Sequence, residues 1–223
     1  MMKEILKSNK LTYILSKPDR FDESKVYPTI IFLHGAGTRG NDIELLKQNP
    51  YFTLTEPHQL NAVTFAPQCY ADSWFDIFEQ LQELIRYAIG HSFVNQRKVY
   101  LIGASMGGYA VWQMAMSHPE WFAAIIPICG GGMYWNASRL INMGIWAFHG
   151  SDDDTVKKEE SIKMINAVNQ CGGTAKLTIF EGVKHDSWIN AYSDINTFRW
   201  LFQNELSQPA LQSDHLGNPK AFG

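Results

Sequence analysis

The chain has 223 residues, 45% of them hydrophobic and 18% charged, enough apolar content for one sizeable core and hence one domain. A net charge of −3 with no Lys/Arg run excludes the electrostatic footprint of a nucleic-acid binder. No stretch is long and apolar enough for a membrane span, and the opening residues carry lysines in place of a signal-peptide core, so a soluble, cytoplasmic protein without a membrane partner is expected.

Along the chain, short β-rich apolar runs alternate with helical patterns. This is the signature of an α/β fold whose mostly parallel, twisted sheet carries helices on both faces. Strands are expected over residues 11–15, 29–33, 62–66, 98–102, 123–128, 145–148 and 176–180, with helices near 75–88, 108–116, 158–170 and 194–202. In the first of these helices Ile77, Leu81, Leu84, Ile85 and Ala88 recur at helical spacing, a face that should pack on the sheet. Cys69, Cys129 and Cys171 are odd in number and widely spaced, which suits reduced thiols better than a disulfide framework or a metal site. The domain is expected over residues 1–206, and the polar segment 207–223, with Pro209, Gly217 and Pro219, reads as a mobile tail.

In open α/β sheets ligands bind beyond the carboxyl ends of the strands, so the residues that follow each strand carry the chemistry. After 29–33 comes His34-Gly35-Ala36-Gly37-Thr38-Arg39-Gly40, a loop able to aim backbone N–H groups at a carbonyl oxygen. The Ala36 N–H is one candidate donor. A phosphate-binding loop would need a Gly-Lys-Ser/Thr that does not follow. After 98–102 comes Gly103-Ala104-Ser105-Met106-Gly107, where a serine on a strand-to-helix turn needs nearly side-chain-free neighbours two positions before and after it. Ser105 is therefore the candidate nucleophile, and the Met106 N–H, at the start of the next helix, a second oxyanion donor. After 145–148 comes His149-Gly150-Ser151-Asp152-Asp153-Asp154, of which one carboxylate should orient a base while the others cap or solvate the turn. After 176–180 comes Gly182-Val183-Lys184-His185-Asp186-Ser187-Trp188, which supplies His185 as that base. The order serine, acid, histidine is the order of an α/β-hydrolase.

Taken together, these motifs resemble the α/β-hydrolase superfamily. The likeness is narrower to its esterase/peptidase group, related to phospholipase/carboxylesterases and dienelactone hydrolases. It runs from about residue 27 to residue 200 and includes Ala66-Pro67-Gln68-Cys69, Pro127-Ile128-Cys129-Gly130-Gly131-Gly132 and Trp146-Ala147-Phe148-His149-Gly150. The resemblance implies Asp153 as the acid, four residues after the His of the His-Gly pair, although relatives often carry Pro and Val where this chain has Asp154-Thr155. Ser73-Trp74-Phe75-Asp76 looks like a segment whose Trp lies near the substrate cleft, which makes Trp74 a substrate-binding candidate with core packing as the alternative. Trp188, beside His185, is a second such candidate, and Tyr134 and Trp135 are open to acyl-pocket or surface roles.

Only about sixteen residues, 129–144, separate the strand after the nucleophile helix from the strand before the acid, too few for a cap domain. The expectation is an α/β-hydrolase fold with no large cap. Its activity would be that of a serine carboxylesterase using Ser105, Asp153 and His185, acting on a small-molecule ester with no metal or other cofactor. The same triad would serve an acyl-protein thioesterase or a serine peptidase. A catalytically silent ligand-binding protein on this fold is the remaining alternative.

Overall fold

The structure is a computed structural model that describes residues 2–8 and 11–211. Eight strands make one sheet: β1 (Met2–Ser8), β2 (Leu11–Lys17), β3 (Tyr27–Leu33), β4 (Val63–Pro67), β5 (Val94–Ala104), β6 (Ala124–Ile128), β7 (Gly144–Gly150) and β8 (Lys176–Phe180). They lie in the order β1-β2-β4-β3-β5-β6-β7-β8. The first two join antiparallel, and every pairing from β4 to β8 is parallel.

Central strands β3 and β5 are buried on both faces, as their unbroken runs Ile30-Ile31-Phe32-Leu33 and Val99-Tyr100-Leu101-Ile102 require. One face is covered by α3 (Phe78–Ile89), α4 (Met106–Ser117) and α5 (Glu159–Gln170). On the other face lie α1 (Ile43–Lys47), α2 (Pro50–Thr55), α6 (Trp188–Ser193) and α7 (Ile195–Gln203), which contribute Leu46, Tyr51, Phe52, Ala191, Tyr192, Phe198 and Leu201 to a second core layer. Both faces are thus dry.

Each expected strand is present, several of them longer than expected, and β1 is an addition. It forms the exposed edge, and its Lys3, Glu4 and Lys7 suit a strand that must not recruit a neighbour. The helix expected over 194–202 is present as α7, whose N-cap Asp194 accepts from the Asn196 N–H at 2.9 Å, and the short α6 before it is an addition. Between β6 and β7 the chain makes only a 3₁₀ segment, Tyr134–Leu140, packed on α4 and α5, so no cap domain is inserted there. In the segment 207–223, expected as a tail, the described part is docked. Ala210 N–H donates to Gln96 O at 3.1 Å, and Ala210 and Leu211 are buried. Residues 212–223 lie outside the described residues. Among the described residues no helix is long and apolar enough to cross a membrane.

The β5–α4 junction is packed against β3 without room for a side chain. A Cβ on Gly103 would stand 2.6 Å from the Gly107 oxygen, and one on Gly107 would collide with the Leu33 carbonyl. Both obstacles are backbone, one in the first turn of α4 and one in central strand β3, so neither yields cheaply. Gly107→Ala should therefore lower the free energy of unfolding by about 3 kcal/mol or move β3 away from α4. Urea unfolding checks this, and an unchanged midpoint would contradict it.

Candidate active site

Ser105 is held at φ 56° and ψ −120°, a left-handed conformation that a non-glycine residue adopts only under constraint. Its N–H donates to Ile128 O at 2.9 Å and its carbonyl accepts from Tyr109 N–H at 3.0 Å, which ties the turn to β6 and to the first turn of α4. The side chain then stands free of the helix. Its Oγ lies 2.8 Å from His185 Nε2, and His185 Nδ1 lies 2.8 Å from Asp153 Oδ2. Three residues from the ends of three strands meet in one hydrogen-bonded line.

Of the three neighbouring acids only Asp153 points inward. Asp152 and Asp154 are exposed, with Asp152 bound locally by the Ser151 hydroxyl at 2.8 Å, whereas the Asp153 side chain is fully buried. Oδ1 of Asp153 accepts from the Thr155 and Val156 N–H groups at 3.0 and 2.9 Å. Burial pushes this carboxyl up, but the His185 bond and the two backbone donors outweigh it and hold the group below its ordinary value. The carboxylate is therefore ionised at neutral pH and keeps a proton on His185 Nδ1, leaving Nε2 to accept from Ser105.

The loop after β3 is fixed by a separate network. The Trp74 indole N–H donates to His34 O at 3.0 Å, and Cys69 N–H donates to His34 Nε2 at 2.9 Å. That leaves Nδ1–H to donate to Gly35 O at 2.7 Å, so His34 is a neutral imidazole in one tautomer. Arg39 Nε closes the turn by donating to Ala36 O at 3.0 Å. Ala36 opens the 3₁₀ turn Ala36–Thr38, and the loop lies so close to Ser105 that a Cβ on Gly35 would sit 3.5 Å from Ser105 Cβ. Met106 is the first residue of α4, where a backbone N–H has no acceptor within the helix.

A cavity of about 460 Å³ opens over Ser105 and His185. Phe32, Tyr192, Trp188 and Pro50 give it apolar walls, and Thr38, Asn49 and Thr155 supply polar groups. Trp188 meets the His185 ring edge to face at 5.4 Å and lines the cavity. Trp74 does not line this cavity. It is fully buried in the core, where its indole N–H donates to His34 O and so braces the loop after β3. Tyr134 and Trp135 are exposed and also lie outside the cavity lining. Sequence reasoning missed the wall from 49–50, whose signal was the helix start Asn49-Pro50: Asn49 caps α2 through the Tyr51 N–H at 3.0 Å. Another cavity, of about 490 Å³ beside Arg86, His118 and Trp121, shares no residue with this one.

Cys129, Asp153 and His185 offer a thiol, a carboxylate and an imidazole whose donor atoms lie within 4.8 Å of one another. As a metal site the set fits poorly. Asp153 and His185 already bond each other, and burial pushes the Cys129 thiol up to about 12, far from the thiolate a metal needs.

The profile of the phospholipase/carboxylesterase family matches residues 63–200. The chain belongs to that family, within the α/β-hydrolase fold. Among curated relatives, dipeptidyl-peptidase 5 of Schizosaccharomyces pombe is 25% identical over 236 residues, covering 82% of this chain and 33% of the relative. The Aspergillus terreus protein named probable feruloyl esterase C is 25% identical over 169 residues, covering 72% of this chain and 62% of the relative. The crystal structure of a thermostable esterase superposes with a TM-score of 0.78 at 30% identity, covering 92% of this chain and 63% of that one. A ferulic acid esterase, at 15% identity and TM-score 0.69, shares the fold. This family member thus spans a third of the peptidase and under two thirds of the two esterases it matches first.

Burial also sets a pH dependence in the loop after β3. Removal from water holds the His34 imidazole down to about 4, with Arg39 adding to the effect against the pull of the Gly35 carbonyl. An unfolded chain binds this proton near pH 6.5, so the stabilising contribution is complete above that pH and is lost as pH falls toward 4. In urea unfolding, the stability advantage of wild type over His34→Gln should shrink by about 3 kcal/mol between neutral pH and the lower bound of that window. An advantage constant across the range would show that His34 is not buried as a neutral ring.

Proposed function

We propose that this chain is a serine hydrolase that cleaves small carboxylic esters through Ser105, His185 and Asp153. The observation that carries this reading is the unbroken line from Ser105 Oγ through His185 to Asp153, both contacts being 2.8 Å. A serine alcohol is a weak nucleophile until an imidazole takes its proton and a carboxylate orients that imidazole.

Ser105 Oγ attacks the ester carbonyl carbon from the cavity side while its proton passes to His185 Nε2. The electron pair of the carbonyl moves onto oxygen, which accepts hydrogen bonds from the Ala36 and Met106 N–H groups. Each such donor is worth about a hundredfold or more in turnover. Collapse of this intermediate expels the alcohol, which leaves with the proton from His185. Water then attacks the Ser105 ester with His185 as base, the acid departs, and Ser105 regains its proton. Neither a metal nor an organic cofactor takes part in these steps. The apolar walls formed by Phe32, Trp188 and Tyr192 suit an uncharged acyl or aryl group.

Peptide bonds pass through the same oxyanion, and the likeness to a dipeptidyl-peptidase keeps amide cleavage as a second reading. Matched nitrophenyl esters, thioesters and aminoacyl anilides separate the two, and the ester reading expects the ester to lead. Ser105→Ala should lower kcat/KM for the ester by at least about a thousandfold, and Asp153→Asn by a comparable factor. Exposed Asp152→Asn and Asp154→Asn should stay within about threefold of wild type. Should Asp153→Asn retain near-normal hydrolysis while a neighbour loses it, the acid is misassigned.

A further inference from the structure

Asp153 has a second histidine partner. His149, at the end of β7, is fully buried, and its Nε2 lies 3.2 Å from Asp153 Oδ2 and 2.9 Å from Val156 O. Both oxygens are acceptors only, so Nε2 must carry a proton. Nδ1 is 2.7 Å from the Ser161 hydroxyl of α5, which itself reaches Gly130 O at 3.0 Å. Since Val156 N–H donates to the other carboxylate oxygen, the contacts His149–Val156–Asp153 close a ring around the acid turn. An apolar side chain would fill this space equally well but would leave the Val156 carbonyl and Oδ2 each short of a donor.

We propose that His149 is a positioning residue for the acid. Its Nε2–H holds the Asp153–Val156 turn at the same carboxylate oxygen that faces His185 and, by sharing the charge on Oδ2, limits how strongly the carboxylate favours protonated His185. The proposal rests on the catalytic reading of Ser105, His185 and Asp153. Two further ionisable groups lie within electrostatic reach of Asp153: the Cys129 thiol, which burial pushes up to about 12, and the Tyr109 phenol, which burial also raises. Both stay neutral near pH 7.

The test is the pH profile of kcat/KM for p-nitrophenyl acetate in wild type, His149→Leu and His149→Gln. With the N–H gone in the Leu variant, the carboxylate draws a proton onto His185 more strongly. The acid limb should then move to higher pH by about half a unit or more, and kcat should fall about tenfold with KM nearly unchanged. A Gln amide can present an N–H at the same place and should recover most of both effects. An acid limb that stays put in a folded Leu variant overturns the proposal. If that variant does not fold, long-range ¹H–¹⁵N spectra of the wild type decide: a protonated His149 Nε2 supports the assignment and a bare one overturns it. Fluorophosphonate labelling of wild-type Ser105 separates the two failures. Labelling with an unmoved acid limb removes only His149, whereas no labelling removes the catalytic reading and the proposal with it.

Discussion

The backbone of Ser105 is the constraint on which the rest of the site depends. Its left-handed conformation costs on the order of 1–3 kcal/mol and persists only where the surroundings over-determine it. Here they do. β5 is paired on both sides, by β3 and β6, and Ser105 N–H continues that ladder to Ile128 O. Helix α4 then leaves the sheet directly over Leu33, which Gly107 permits. The turn is short because the helix is close, and the serine is lifted out because the turn is short.

Other parts of the site are placed relative to that turn by networks with distinct electrostatic character. On one side the acid turn is built to hold negative charge, with backbone N–H groups on one carboxylate oxygen and imidazole nitrogens facing the other. On the other side His34, in the loop after β3, is kept neutral, because burial strips it of its proton and its two nitrogens are spent on Cys69 N–H and Gly35 O. In the proposed reaction Asp153 carries charge from the start, and the dipoles of the loop would meet charge that develops on the substrate oxygen. A dipeptidyl-peptidase and a feruloyl esterase both stand among the relatives of this chain.

What was legible in the sequence follows from the range of the interactions involved. Ser105 and His185 could be singled out as candidates because each lies in a glycine-bearing turn that follows an apolar run, so local pattern and chemistry coincide. Asp153 could be reduced to three neighbours but not separated from them by pattern alone, since one residue of rotation decides which carboxylate turns inward. Trp74 shows the limit of a likeness: the segment Ser73-Trp74-Phe75-Asp76 left substrate contact and core packing open, and the structure places the indole in the core, donating to the His34 carbonyl. Edge strand β1 has too little burial to leave a hydrophobic alternation, and α1 and α2 are too short for a helical period. His149 was invisible as a functional residue because its partners, Val156, Ser161 and Asp153, come together only when the turn after β7 closes.

The central claim is that Ser105 becomes covalently acylated during turnover. Rapid-quench intact mass spectrometry of the protein mixed with a nitrophenyl ester tests it directly. The account predicts a burst of nitrophenol accompanied by a mass increase equal to the acyl group, mapped to the peptide containing Ser105. Steady hydrolysis with no adduct under any quench condition, or an adduct on another residue with Ser105 unmodified, would contradict it.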